Sequence, residues 1–464
     1  MIRKLMLLAA LLAPLSAFGA GDGPAGATAF VGATVIDGTG GSPRANATVL
    51  VTGGRIEAVG GPGEVDIPPA VRVVDARGKW IVPGLVDAHV HFFQSGGLYT
   101  RPDIIDLRKT RPYADEVAWI KQRLPDTFAR YLASGVTAVA DFGGPFWNFQ
   151  VRRLAGETLA APRVAVAGPL IATYLPPELK TDDPPLIEVD SPGDARAVVR
   201  RELACQPDLI KIWFIPRAGQ DLAAQAEWIR AAIEESHAAG VRVAVHATQL
   251  EIARAAVKAG ADILAHSVDD SLVDDDFVAL LKARKVVYVT TLAVNEGYRE
   301  VLGQAVRLTD IERRLGDPQV VATFADLDRL PAWETPYWAR WPLFWPSQKT
   351  QFANLKRLQQ SGVAIAAGTD AGNIGTLHGP ALHRELALMA EAGLSPQAIL
   401  AAATRGGAQV MGRESELGTL EKGKLADLLL LDADPLADIA NLRRIDRVVK
   451  GGVVLDPEKL VKAR

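Results

Sequence analysis

Residues 81–93, IVPGLVDAHVHFF, decide how this chain is read. An apolar run ends in two histidines, His89 and His91, one residue apart. Along a β-strand successive side chains alternate between faces, so positions i and i+2 point the same way. On a buried strand the two imidazoles therefore share one side, and they suit a metal there. They equally suit two polar residues that merely alternate. The answer has to come from the segments on either side.

Upstream, residues 28–82 are short, β-rich and broken by turns, as in AFVGATVIDGTGG and ATVLVTGGRIEAVGG. Paired glycines between alternating Val and Ile indicate hairpins. The far C-terminus has the same character in LGTLEKGKLADLLLLDADP and IDRVVKGGVVLD. Neither piece is large enough for a secure core of its own. We expect 21–84 and 418–464 to join as one composite β-sandwich domain, the competing reading being two separate edge ornaments.

Downstream, eight short apolar runs alternate with amphipathic helical stretches such as DLAAQAEWIRAAIEESHAAG. The runs are 85–91, 136–142, 163–168, 208–214, 241–246, 262–266, 286–290 and 363–370. Runs rich in Val, Ile and Ala, bounded by Gly and polar residues, suit parallel strands buried on both faces. Eight of them predict an α/β fold, a (β/α)8 TIM barrel over 85–417, ahead of a doubly wound open sheet. The barrel exceeds the typical size of about 250 residues, and the surplus falls at about 291–350. That insertion holds Trp333, Trp338, Trp341 and Trp345. It reads as a packing excursion or an aromatic contact in a homo-oligomer, and less strongly as a substrate lid.

The bulk figures bound the function. A chain of 464 residues, 48% apolar and 23% charged, has ordinary globular composition. Its net charge of −3 gives no reason to expect nucleic acid or an anionic membrane as partner. With Cys205 alone, no internal disulfide and no cysteine zinc cluster can form. The N-terminus has Arg3 and Lys4, an apolar run from Leu5 to Leu15, then small residues at 17–20. That pattern predicts a signal peptide over 1–20 and a periplasmic or secreted protein. The run falls short of the roughly 20 residues that span a bilayer.

The chemistry-bearing residues cluster at the ends of the runs. His89 and His91 sit late in the first, His246 ends the fifth, His266 the sixth, and Asp370 follows the eighth. In a barrel these positions converge on the C-terminal rim, where active sites are built. Imidazoles and a carboxylate suit a divalent cation such as zinc. Lys211, between two isoleucines in the fourth run, is the informative residue. A buried ammonium needs a partner, or it loses its proton. A salt bridge is one resolution. The other is a neutral amine that takes up carbon dioxide as a carbamate, an anion able to bridge two metals.

These segments together resemble the amidohydrolase superfamily. VPGLVDAHVH looks like its opening metal motif, HATQLEIARAAVKAGADILAH its span between two ligand histidines, and GTDAG its eighth-strand motif. GTLEKGKLADLLLLDADP resembles its closing segment. The resemblance implies a binuclear, metal-dependent hydrolase of the prolidase-like and imidazolonepropionase-like branch. It implies His89, His91 and Asp370 on one metal, His246 and His266 on the second, and carboxylated Lys211 bridging both. Two cations about 3.5–4 Å apart would share a water and make it a hydroxide near neutral pH. Asp370 would take the proton and pass it to the leaving nitrogen. The implied reaction is cleavage of a C–N amide bond, in a peptide-like, N-acyl amino acid or cyclic amide. A deaminase, or a lactone or ester hydrolase, is the alternative on the same scaffold.

Substrate contacts are less determined. His378, Trp213 and Phe92 are the candidate pocket residues, with Phe93 and Phe214 as further parts of an apolar wall. Arg217 and Arg299 are weak candidates for a substrate carboxylate. His383 reads as structural, and His237 as a cation at a helix C-terminus. Thr248 stands two residues after His246, where dipeptide-cleaving relatives often carry His or Tyr, and this departs from prolidase-like specificity.

Overall fold

The computed structural model describes residues 26–216, 221–329 and 348–461. The leader expected over 1–20, Arg217 and the tryptophan-rich part of the insertion lie outside them.

Eight parallel strands form at the eight apolar runs, numbered here first to eighth. They are Leu85–Val90, Val136–Asp141, Arg163–Val166, Leu209–Trp213, Arg242–His246, Ile263–Ala265, Val287–Val289 and Ala364–Ala366. First to third pair in order, as do fourth to eighth. Two backbone bonds bring the halves together. Asp208 N–H donates to Val166 O at 3.0 Å, and Ala88 N–H donates to Ala367 O at 2.9 Å. The sheet therefore closes on itself, which excludes the doubly wound alternative.

Alternation along the strands sorts the residues. Ala138, Ala140, Ala244 and Ala265 belong to a small-residue interior layer. Ile210, Ile212, Val243, Val245 and Leu264 face outward onto the helices. Lys211 lies between the two isoleucines of this outer face and so points inward, only 1% exposed.

Strands from both ends of the described chain form a second, eight-stranded sheet. In it Trp80–Pro83 pairs in parallel with Thr28–Val35 and antiparallel with Leu428–Leu431. Its core gathers Phe30, Val49 and Ile81 from one end with Leu428, Leu430 and Val449 from the other. The two sheets meet at Gly84, where a Cβ would lie 2.9 Å from Thr137 Cβ. Only glycine lets the chain pass so close to the second strand. Across the same junction Arg163 grips Asp427 through two nitrogens, at 2.6 and 3.0 Å.

The segment between the seventh and eighth strands adds the helices Leu292–Leu302, Asp310–Leu315, Pro318–Ala322 and Gln348–Gln360. The first of these packs with Leu98, Ile105 and Leu107 from the loop after the first strand. Both loops thus wall the C-terminal rim of the barrel. Among the described residues no helix is long and apolar enough to cross a membrane.

Candidate metal centre

Five strands deliver the site. His89 lies within the first and His91 just past its end; Lys211 and His246 lie in the fourth and fifth; His266 and Asp370 follow the sixth and eighth. His266 and Asp370 both take left-handed backbone, with φ of 79° and 59°. Residues with a Cβ pay strain there, and such strain concentrates at functional sites. The eighth-strand end is tied to the first. Asp87 accepts from Thr369 Oγ1 at 2.7 Å and from Thr369 N–H at 3.0 Å, and Asp370 N–H donates to His89 O at 2.7 Å.

Three electron-rich atoms converge as a result. His89 Nε2 and His91 Nε2 are 3.2 Å apart, and Asp370 Oδ1 lies 3.3 Å from the first and 3.1 Å from the second. His91 Nδ1 is 2.8 Å from the carbonyl of Gly143. A carbonyl only accepts, so Nδ1 carries a proton there and Nε2 is the nitrogen turned to the site. Burial, then the nearby Lys211 charge, holds the His89 imidazole well below its usual pKa. Asp370 stays ionised: burial pushes its carboxyl up, and the surrounding imidazoles bring it well below the usual range. Asp370 Oδ1 is buried without a hydrogen-bond partner. Two imidazole nitrogens and an unpartnered carboxylate oxygen gathered this closely are the donor set of a divalent cation, so the residues fit a bound metal. His266 belongs to the same group, with Nδ1 3.8 Å from Asp370 Oδ2; one donor atom each from His89, His266 and Asp370 lies within 4.8 Å.

His246 stands against His266, with ring centroids 4.3 Å apart. Burial, helped by its neighbours, drives His246 far below the usual imidazole value and His266 to about 3. Lys211 Nζ sits 4.8 Å from the Phe142 ring centre and has no hydrogen-bond partner. No carboxylate forms a salt bridge with it among the described residues. Burial brings its ammonium down to about 7, against the opposing pull of Asp370.

The group opens into a cavity of about 280 Å³. His91, Lys211, His246, His266 and Asp370 all reach it, and Trp213, Phe93 and Thr248 line its walls. Two expected pocket residues are placed elsewhere. Phe92 is 1% exposed and packs against Phe128 and Tyr131. His378 stacks on Phe92, and both its nitrogens are engaged, by Tyr131 Oη at 2.8 Å and Gln94 O at 2.8 Å. Neither borders this cavity; they brace the back of the first strand's end. Phe214 likewise packs outward among the helices. Arg299 is 43% exposed and pairs with Glu296. His383 bonds Ser134 O within its helix packing, and His237, in the last turn of Leu222–Ala238, pairs with Asp262.

Sequence reasoning missed Arg101, Asp103, Tyr298, Asn373, Asp269 and Gln351, which also line the cavity. They come from loops and the added helices, where no strand periodicity announces an inward direction.

Comparison with known proteins follows the same line. The model of the amidohydrolase family matches residues 80–455. The imidazolonepropionase of Geobacillus kaustophilus is 27% identical over 447 residues, covering 88% of this chain and 90% of that protein. A protein of Bifidobacterium longum assigned as a prolidase superposes with a TM-score of 0.69 at 27% identity, covering 93% and 95% of the two chains. A Xaa-Pro dipeptidase at 24% identity gives a TM-score of 0.69 over 93% of this chain and all of its own, a likeness of fold.

Proposed function

The chain belongs to the amidohydrolase family, a metal-dependent hydrolase of C–N bonds, and on that premise we propose that it cleaves a small amide at a centre of two zinc-like ions. His89, His91 and Asp370 would hold one ion, His246 and His266 the other, with carboxylated Lys211 between them. The observation that carries the reading is the triangle of His89 Nε2, His91 Nε2 and Asp370 Oδ1, all within 3.3 Å, with His91 and Asp370 lining a cavity of about 280 Å³. When bound, the cations supply an acidified water and polarise the substrate carbonyl.

The chain's own residues do the rest. Lys211, neutral in good part near pH 7, can form the carbamate: its nitrogen bonds to the carbon of CO2 and one proton leaves. Asp370 takes the proton of the attacking water and returns it to the departing nitrogen, which is a poor leaving group without it. Gly143 O fixes the His91 tautomer, so the ring needs no rearrangement to present Nε2. Trp213, Phe93 and Leu170 exclude water from one side of the cavity. The leader over residues 1–20 completes the proposal by sending the enzyme to the periplasm, which N-terminal sequencing of the purified protein checks.

The test is a panel of N-acyl amino acids, dipeptides, lactams, lactones and esters, offered to zinc-reconstituted protein alongside metal analysis. Two metals per chain with amide turnover is the expected result. Turnover restricted to lactones or esters, or release of ammonia from a ring amine, would replace amide hydrolysis by the alternative chemistry.

A further inference from the structure

The cavity is unevenly equipped for charged substrates. Its one guanidinium among the described residues, Arg101, is already committed. It makes four hydrogen bonds: two to Asp103 at 2.8 and 2.6 Å, one to Tyr298 Oη at 3.0 Å and one to Asn373 Oδ1. Asp103 cancels its charge. His91, His246, His266 and Lys211 all belong to the ligand group. Among the described residues no uncommitted cation remains for a substrate carboxylate.

The acceptors are the opposite case. Asp269 follows His266 by three residues and lines the cavity. No other residue donates to its carboxylate and no cation pairs with it among the described residues. Burial, reinforced by Asp270, pushes that carboxyl up to about 7, the mark of an anion in want of a partner. Gln351 lines the same cavity, is 2% exposed, and its buried Oε1 has no hydrogen-bond partner. The two are held near each other by the helix Gln348–Gln360. Its Asn354 donates to Val268 O at 3.0 Å and Ser271 O at 2.9 Å, on both sides of Asp269. Gln351 lies one turn earlier on the same helix face.

We propose that Asp269, assisted by Gln351, is a subsite for a cationic nitrogen, so that the enzyme selects amides with an ammonium or guanidinium end. This rests on the reading of the cavity as an amide hydrolase site and names the substrate class for it. A cation seated there relieves the uncompensated carboxylate and gives the buried amide oxygen a donor, the two costs the empty wall carries. Thr248 sits beside this wall, its carbonyl accepting from Asp269 N–H at 2.9 Å.

The test is calorimetric binding of N-butylguanidinium and of its uncharged isostere N-butylurea to the metal-loaded full chain. Wild type should prefer the cation by about tenfold or more. Asp269→Asn should reduce that preference to near unity with melting temperature and metal content unchanged. Gln351→Glu should increase it, and read alone it decides the matter if Asp269→Asn fails to fold. Equal binding of both probes by wild type, or a preference that survives in Asp269→Asn, overturns the subsite. Hydrolysis of N-acetyl-lysinamide and N-acetyl-norleucinamide is measured in parallel. Cation preference with neither amide cleaved would sink the hydrolase reading alone. Turnover of both at equal efficiency with no cation preference would sink the subsite alone.

Discussion

At Lys211 a charged ammonium would face a phenylalanine ring with no hydrogen-bond partner. A side chain that only filled space would be better served by Met or Leu, so the nitrogen itself is what this position uses. Lys211→Met should therefore keep the fold, bind less than half the metal, and lose at least about 100-fold in kcat/KM, as removal of a metal-supporting group does; full activity with one metal per chain would eliminate the bridging role. The six ligand candidates were legible because strand ends and period-two alternation place them. Phe92 and Phe93 fall in the turn just past the first strand, where no period applies: Phe93 reaches the cavity and Phe92 goes to the core. His378, Asp269 and Gln351 leave irregular backbone or a late helix, and no period in the sequence gives their direction.

Among the elements, the helix Ala381–Glu391 does more than cover the barrel. Its Glu385 accepts from Thr290 Oγ1 and from Ala293 N–H at 2.7 Å, pinning the loop that follows the seventh strand. That loop carries Thr291, which bonds the His266 ring at 2.8 Å. Burial raises the Glu385 carboxyl from its usual 4.5 to about 7. Between these values the native state keeps a proton that the unfolded chain releases. Stability from this group is complete below pH 4.5 and falls as pH rises through 7, by a total of about 3 kcal/mol. Melting curves from pH 4.5 to 7.5 should show wild type losing more than Glu385→Gln; parallel curves would rule out a protonated Glu385. Gly84 is the second element-scale control. A methyl there overlaps Thr137, so Gly84→Ala should cost about 1–3 kcal/mol, read as a lowered melting temperature. The glycine of VPGL is plain in the sequence, but the steric reason for it lies in the second strand and appears only in three dimensions.

For the molecule as a whole, the ligand candidates come from five separate strands, so a metal bound by them and the closed barrel would support each other. Chelation should lower the melting temperature by several degrees and restore it on zinc addition; a melt indifferent to chelator would argue against any resident metal. The junction between the sheets gives a second handle. Asp427 is buried under Arg163, and Asp427→Ala should destabilise by about 2–3 kcal/mol by leaving that guanidinium unpaired. The barrel and the composite sheet could be read in advance because their strands recur with regular patterning. The rim could not, since its walls are insertions whose composition resembles any amphipathic helix.

The strand Trp80–Pro83 waits for a partner made roughly 350 residues later, Leu428–Leu431. During synthesis one edge of that early strand therefore stays open until the barrel has been completed. Order of manufacture thus becomes a property of the fold: the first-made sheet is the last to be finished, and the ribosome must release nearly the whole chain before Gly84 is flanked on both sides. An interrupted product ending before Leu428 would display bare strand edges, the kind that recruit other chains. Its loss to aggregates, with full-length chains staying soluble in the same preparation, is the signature to look for in a pulse-labelled lysate.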